Sequence, residues 1–149
     1  MPPVSVRSYH QDDHDALVAL YALAFPDDSP WNAPRRMITD KIAAQPDGLL
    51  VGLDDDGTLI ASVKAGYDGH RGWINSLAVH PHHRGKGHGK VMMDHALALL
   101  NNMGAVKVNL QIRGGNTSLK KYYESLGFEE EPRISMGILT EKGRATIKE

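Results

Sequence analysis

The feature that most constrains this chain is a glycine-rich basic stretch, Arg84-Gly85-Lys86-Gly87-His88-Gly89-Lys90. The apolar residues 73–79 before it predict a strand, and residues 90–103 after it have the spacing of an amphipathic helix. The first N–H groups of a helix have no partner within it, and the helix dipole places partial positive charge there. Glycines let such a backbone approach a ligand closely. This order of elements therefore predicts a phosphate or pyrophosphate site.

Two common phosphate motifs do not fit the spacing of this stretch. A P-loop needs a glycine and a hydroxyl where this chain has Arg84 and Val91. The dinucleotide fingerprint needs a third glycine where this chain has Lys90 or Met92, depending on which glycine begins the motif. What remains is Arg84-x-x-Gly87-x-Gly89, and a surface loop without a ligand is the alternative interpretation of so short a pattern.

Two further segments stand at informative distances from the turn. Leu77-Ala78-Val79-His80-Pro81 precedes it, and Asn116 is followed by Tyr123-x-x-x-Gly127-Phe128. Together with the turn they resemble the GNAT superfamily of acyl-CoA-dependent N-acyltransferases. In that family the fourth strand ends in an Ala-Val-x-Pro step, and a second signature joins an Asn to Tyr-x-x-x-Gly-Phe. The matches cover residues 73–128, whereas the N-terminal part fits by element order alone.

The patterning predicts an α/β fold with the order β-α-α-β-β-β-α-β-α-β-β in one domain, residues 1–149. The GNAT resemblance implies a central mixed, mostly antiparallel twisted sheet, flanked by about four α-helices and splayed between strands 4 and 5. Strands are predicted at residues 4–9, 49–53, 58–65, 73–79, 106–112 and 134–140, with a short one from Phe128. Thr117 is a candidate cap of the last helix, and residues 141–149 are expected to form a mobile tail.

Composition narrows the class of ligand. The net charge of the 149 residues is −1, so the basic turn is a local feature that suits a small phosphorylated ligand better than nucleic acid. The chain has no cysteine, which excludes disulfides, a Cys-based zinc site and a thiol nucleophile. No long apolar run or signal peptide is evident, so we expect no membrane partner and a cytoplasmic location.

The resemblance implies acetyl-CoA as the donor, a co-substrate that needs no metal. Its pyrophosphate is expected on the N–H groups of the turn, and its pantetheine arm along the edge of the fourth strand, in the manner of an added strand. The predicted coenzyme-binding residues are Leu77, Ala78, Val79, Arg84, Gly85, Lys86, Gly87, His88, Gly89, Lys90, Asn116 and Tyr123.

The resemblance also implies two catalytic roles. The backbone N–H of Val79 is the expected oxyanion donor, and Tyr123 is the expected general acid that protonates the departing thiolate. Packing of Tyr123 as an ordinary core aromatic is the alternative. Family members often carry a carboxylate base on the fourth or fifth strand, where this chain has Asn75 and Gln111. Three alternatives remain for deprotonation of the acceptor amine. They are ordered water, a histidine such as His70 or His80, and an acceptor whose amine has a low pKa.

An amine acceptor is expected in a pocket made by the first two helices, their loop and residues 67–71. Trp31, Asn75 and Gln111 are the predicted substrate residues. Further candidates in the loops are Asp27, Asp28, Asp68 and His70, each of which could equally be loop surface. A carboxylate there would attract an ammonium group, and Trp31 could cover an apolar or cationic acceptor.

Two other interpretations of the chain have specific support. The cluster of His80, His82, His83 and His88 suggests a metal site, but it lacks the ligand set of a closed zinc site, so no metal is predicted. The missing base suggests a non-catalytic module that binds or senses acetyl-CoA. We predict instead an N-acetyltransferase that acts on a primary amine by direct attack in a ternary complex. A homodimer is compatible with the sequence, although no residue pattern specifies it.

Overall fold

A mixed five-stranded sheet forms the centre of the fold in the computed structural model, which describes residues 4–148. Its strands are β1 (Ser5–Ser8), β2 (Leu49–Leu53), β3 (Leu59–Tyr67), β4 (Gly72–Val79) and β5 (Val108–Leu110), in that spatial order. Strands β1 to β4 pair antiparallel, and β5 pairs parallel with β4. The predicted mixed, mostly antiparallel sheet is therefore confirmed.

Five α-helices accompany the sheet within the described residues, close to the expected four. They are α1 (His14–Ala24), α2 (Pro34–Ala44), α3 (His88–Met103), α4 (Thr117–Ser125) and α5 (Glu141–Ala145). The described chain forms two compact units, residues 4–110 with the sheet and α1 to α3, and residues 111–148 with α4 and α5. None of the helices in residues 4–148 is both long and apolar enough to span a bilayer.

Both faces of the sheet are covered within the first unit. On one face α3 packs so closely that a Cβ on Gly52 would lie 2.8 Å from Met92 Sδ, and one on Gly72 would lie 2.8 Å from Leu100 Cδ1. The other face packs against α1 and α2 in a core of Tyr9, Leu17, Leu20, Tyr21, Ile38, Leu49, Val51 and Ala78. Side chains alternate along a strand, so each strand contributes to both layers.

The predicted strands after α4 are wrong. Phe128 and residues 134–140 belong to no strand in the described structure, although Ile134, Met136 and Ile138 alternate as a strand would. These three side chains are at least 91% exposed, because alternation makes a strand only where a neighbouring strand supplies hydrogen bonds. The expected tail is helical at α5 and over Thr146–Lys148, and Glu149 lies outside the described residues.

Two helix boundaries also differ from the sequence prediction. Helix α3 begins at His88 rather than Lys90, because Gly87 adopts the N-cap position. Asn116, not Thr117, caps α4, and its side-chain oxygen accepts the N–H of Leu119 at 3.2 Å. Asn, with a short acceptor side chain, is among the best N-cap residues.

The contact between Gly72 and α3 gives a stability prediction. We expect Gly72→Ala to lower the free energy of unfolding by about 1–3 kcal/mol, because the new methyl overlaps Leu100 in a packed core. Urea denaturation measures this change. Gly66→Ala is the matched control, since its methyl would meet only the Gln45 side-chain oxygen at 3.5 Å and the Lys41 amine at 3.7 Å. Equal destabilisation by both substitutions would contradict the packing argument.

Candidate active site

The glycine-rich stretch forms a turn with two left-handed residues. After β4 the residues Pro81–His83 make one turn of 3-10 helix, and Gly85 and Gly87 then have φ values of +76° and +83°. Glycine adopts this region without a Cβ penalty. Gly87 is the N-cap of α3, so the N–H groups of the first helical turn, from His88 onward, have no helical partner. This backbone arrangement suits an anion.

The backbone N–H of Val79 points away from β3. His80 N–H donates to the carbonyl of Ile60 over 2.7 Å, and the register pairs Val79 with Ala61. Bonded and non-bonded pairs alternate in an antiparallel ladder, so the Val79–Ala61 pair is a non-hydrogen-bonded one. Both backbone polar groups of Val79 therefore point to the β5 side of β4. On that side its carbonyl accepts the Nε–H of Arg84 at 3.1 Å.

A bulge in β4 produces this orientation. The register between β3 and β4 shifts between Ser62 and Lys64, and Ser76, beside that shift on β4, has a φ of +56°. One extra residue in a strand reverses which backbone groups face each neighbour. The pairing of β5 with β4 ends at Ile74, whereas β4 continues to Val79. On this side β4 therefore has no β5 partner beyond Ile74, because β5 itself ends at Leu110.

The three cations of the turn have different surroundings. The guanidinium of Arg84 is tied back to the carbonyl of Val79. Lys90 forms an ion pair with Asp94 one helical turn later, at 2.8 Å, and both side chains are well exposed. Lys86 lines a cleft between the turn and the β2–β3 hairpin. The exposed ion pair between Lys90 and Asp94 contributes little stability and can exchange partners readily. Lys90 is therefore still available to an anion.

His88 is the buried member of a histidine series. The rings of His82, His80, His83 and His88 contact one another in that order, with centroids 5.1, 5.7 and 6.2 Å apart. His88 is 2% exposed, and its Nδ1 has no hydrogen-bond partner in the described structure. It lines the cleft with Asp54, Asp55, Asp56, Ile60, His83 and Lys86. Among residues 4–148 no group of three His, Cys, Asp or Glu side chains is placed to hold a metal ion. The absence of a metal stays a prediction.

The burial of His88 predicts a pH-dependent stability. Burial, with the charges of His83 and Lys86, holds the pKa of His88 below its usual 6.5. The unfolded chain then binds a proton that the folded chain does not, so the free energy of unfolding falls as the pH drops below about 6.5. Urea denaturation across this range should show a shallower slope for His88→Gln. His95→Gln, an exposed site on α3, should keep the wild-type slope; a wild-type slope in His88→Gln would contradict the assignment.

Tyr123 and Asn116 both lie on α4 in the second unit. The Tyr123 ring is 8% exposed and packs edge-on against Phe128, with centroids 5.7 Å apart, and against Tyr122 at 5.3 Å. Burial, with a smaller effect of Tyr122, raises the pKa of Tyr123 to about 12. The phenol is therefore protonated throughout the working pH range. The oxygen of Asn116 that caps α4 also lies 3.3 Å from the Ser118 hydroxyl.

The predicted acceptor residues are spread over both units. Trp31, 38% exposed, lies in a 3-10 turn between α1 and α2. Asn75 is exposed on β4, directly opposite Lys64 of β3. Gln111 follows β5 in the second unit, where its side-chain amide donates to the Ser135 hydroxyl at 2.6 Å.

The loop carboxylates mostly organise their own loops. Asp68 accepts the N–H groups of His70 and Arg71 at 2.9 and 2.7 Å, which lowers its pKa. Asp28 accepts the N–H of Ser29 and the side-chain amide of Asn32 at 2.8 and 2.9 Å. Asp27 is exposed in the same loop as Asp28.

His80 is poorly arranged as a base. Its Nδ1 lies 3.1 Å from the N–H of His82 and accepts it as a cap. This assigns the ring proton to Nε2, so the lone pair that a base needs is already engaged. Burial, followed by nearby cationic groups, also lowers the pKa of His80.

Two partly buried lysines, one on α2 and one on β3, were not among the sequence candidates. Lys41 of α2 donates to Gln45 at 3.2 Å and to the carbonyl of Ala65, and burial lowers its pKa to about 8. Lys64 of β3 is partly buried beside Met37. Lysine in a strand usually marks a solvated face, so the sequence gave no signal that Lys64 would lie beneath α2.

Comparison with known proteins decides the family. The family model described as the acetyltransferase (GNAT) family matches residues 14–128, most of the chain. The chain belongs to the GNAT acetyltransferase family. A relative from Yersinia pestis named acetyltransferase is 33% identical over 136 residues, which cover 90% of this chain and 94% of the relative.

Solved structures share the fold of this GNAT protein. An aminoglycoside N-acetyltransferase in complex with CoA matches with a TM-score of 0.74 and 19% identity, covering 93% of this chain and 96% of that one. The ribosomal-protein-S18-alanine N-acetyltransferase of Escherichia coli matches with a TM-score of 0.72 and 19% identity, covering 87% and 79%. At this identity the likeness establishes the fold, and the two proteins act on different kinds of acceptor.

Proposed function

We propose that this GNAT protein transfers an acetyl group from acetyl-CoA to a primary amine by direct attack in a ternary complex. The observation that carries the proposal is the N–H of Val79, which the β4 bulge turns out of the β3 ladder and toward the side of β4 that β5 pairs only as far as Ile74. A donor in that position suits the oxyanion of an acyl transfer. The CoA complex of the structurally similar aminoglycoside N-acetyltransferase supports the choice of donor.

The turn before α3 would hold the coenzyme. Its pyrophosphate accepts from N–H groups of the first turn of α3, while Gly85 and Gly87 provide the left-handed backbone. The backbone edge of β4 from Leu77 to Val79, which β5 does not pair, holds the pantetheine amides as an added strand would. The Arg84 side chain, bonded to the Val79 carbonyl, fixes the path of the chain between these two parts.

In the reaction, the neutral amine nitrogen attacks the thioester carbonyl carbon. The carbonyl π electrons move to oxygen, where Val79 N–H stabilises the charge. When the intermediate collapses, the carbon–sulfur bond breaks and the sulfur leaves as a thiolate. The nitrogen loses its extra proton to water, and Tyr123 donates a proton to the sulfur and regains one from solvent. The products are the acetylated amine and CoA.

The pKa of Tyr123 defines how it acts. A thiol has a pKa of about 8.5, so proton transfer from a phenol with a pKa of about 12 is uphill. The hydroxyl therefore acts first as a hydrogen-bond donor to the departing sulfur, and transfer follows as negative charge accumulates there. A buried phenol that stays protonated suits this role, because a phenolate could not donate a proton to the sulfur.

The proposal is tested by product analysis and by the kinetic pattern. Incubation with acetyl-CoA and a panel of primary amines should give an N-acetylated amine identified by mass spectrometry. Initial rates with both substrates varied should give intersecting reciprocal plots, and the intact protein mass should stay unchanged with acetyl-CoA alone. A stable acetyl-protein with parallel plots would instead indicate a covalent intermediate and overturn direct attack.

A further inference from the structure

Lys64 lies on the face of the sheet that α1 and α2 cover. Its neighbours across the strands are Leu49 of β2 and Asn75 of β4, and cross-strand partners share a face. Leu49 belongs to the core that packs against α1 and α2. The Lys64 amine lies 3.8 Å from Met37 Sδ of α2. The side chain therefore rises from the sheet toward the helices that were predicted to bind the acceptor.

The ammonium group of Lys64 has no oxygen partner in residues 4–148. Its one hydrogen-bond contact there is the Met37 sulfur, which is a weak acceptor. A cation removed from water without an anionic or strong hydrogen-bonding partner is costly. Lys41, the neighbouring lysine, differs because it is satisfied by Gln45 and Ala65. Lys64 is thus a group on this face whose bonding a ligand would complete.

Two carboxylates near Lys64 favour its charged form, although neither forms an ion pair with it in residues 4–148. Burial lowers its pKa, while the carboxylates of Asp28 and Asp40 act in the opposite direction. Asp28 lies in the loop between α1 and α2, and Asp40 lies on α2.

The distance along β4 limits the shape of such a ligand. Lys64 is level with Asn75, and the oxyanion donor is Val79, four residues further along β4. At about 3.3 Å per residue, the separation is on the order of 13 Å before the bulge shortens it. An acceptor that reaches both points is extended, with its amine at one end and the group bound by Lys64 at the other.

We propose that Lys64 binds a carboxylate of the acceptor, so that the substrate is an extended primary amine carrying a carboxylate remote from the reacting nitrogen. The inference rests on the proposed function for the location of the amine. The carboxylate supplies the oxygen acceptors that the ammonium group lacks, and such a charge-assisted bond forms without adding net buried charge.

The experiment compares ω-amino carboxylates of increasing length with the matched ω-amino carboxamides. The two series have similar amine basicity and shape, so their ratio of kcat/KM isolates the carboxylate. We expect wild type to prefer the acid of the best length by at least about tenfold, as a charged hydrogen bond implies. Lys64→Met, which keeps the packing on Met37, should lose this preference, and Lys64→Arg should retain it.

Controls separate the inference from the function on which it rests. Lys148→Met, an exposed lysine outside the family-matched segment, should keep the wild-type preference. Lys64→Met should unfold at the same or a higher temperature than wild type, because an unpaired, partly buried charge is removed. Turnover with no acid preference, or a preference that survives in Lys64→Met, overturns the inference while the acetyltransferase proposal stands.

A binding readout covers the case without turnover. If no amine is acetylated, direct acetyl transfer fails, and calorimetric binding of the same acids and amides to the CoA-saturated protein then decides the inference. Tighter binding of the acid that is lost in Lys64→Met supports a carboxylate site at Lys64. Equal binding of acid and amide, or equal binding by both proteins, overturns it.

Discussion

Substituting Gly87 by glutamate is expected to weaken acetyl-CoA binding by at least about 100-fold. Gly87 caps α3 with a φ of +83°, at the point where the first-turn N–H groups would meet the pyrophosphate in the proposed acetyl-CoA complex. A carboxylate there opposes the diphosphate charge, and juxtaposed like charges cost several kcal/mol, where each 1.4 kcal/mol is tenfold in affinity. Isothermal titration calorimetry with acetyl-CoA measures the change in Kd.

A matched substitution separates backbone strain from loss of the anion site. Gly57 in the β2–β3 hairpin has a φ of +79°, and a Cβ there would meet nothing within 4 Å. Gly57→Glu therefore adds the same side chain in a similar left-handed conformation, and it should bind acetyl-CoA as wild type does. Wild-type affinity in a folded Gly87→Glu, or equal loss in both variants, would contradict a pyrophosphate site at the start of α3.

Replacing Tyr123 by phenylalanine is expected to lower kcat about 100-fold, the lower range for loss of a general acid. The ring packing on Phe128 is retained, so the KM for acetyl-CoA should change little. Because the pKa of Tyr123 is raised to about 12, ionisation of this phenol should not reduce the wild-type rate below about pH 11. Steady-state kinetics across pH with a saturating amine measures both effects.

Tyr122→Phe is the control for this prediction. Tyr122 adjoins Tyr123 on α4 and contacts its ring, but it has no role in the proposed transfer. Its removal should leave kcat within about twofold. An unchanged kcat in Tyr123→Phe, or equal losses in the two variants, would show that Tyr123 acts only as a packed aromatic.

The sequence was most informative where one residue type has one physical reason to be present. Gly87, which takes the left-handed N-cap of α3, and Gly104, which ends the same helix at a φ of +103°, follow from backbone sterics. The hairpin of β2 and β3 follows from the residues 54–57 between two apolar runs. Local rules of this kind place the turn, and the position of the turn fixes the order of the surrounding elements.

Features that depend on distant partners were not predictable. Residues 134–140 alternate as a strand but have no strand partner in the described structure. The burial of His88 likewise depends on packing of the turn against the β2–β3 hairpin. The partial burial of Lys64 depends on where α2 lies over β3. A single sequence contains no direct signal of these tertiary neighbours, which is why the candidate carboxylate site emerged only from the structure.

The most direct test of the central claim is the release of CoA thiol from acetyl-CoA in the presence of primary amines. We predict a rate that saturates with both substrates, is far lower without the amine, and is lost in Gly87→Glu but kept in Gly57→Glu. As a separate check on binding, acetyl-CoA at 100 times its Kd should raise the free energy of unfolding by about 2.7 kcal/mol. Such an increase would confirm that the donor is bound under the conditions of the assay. Such stabilisation without CoA release for any amine would contradict transfer and identify a non-catalytic acetyl-CoA-binding module.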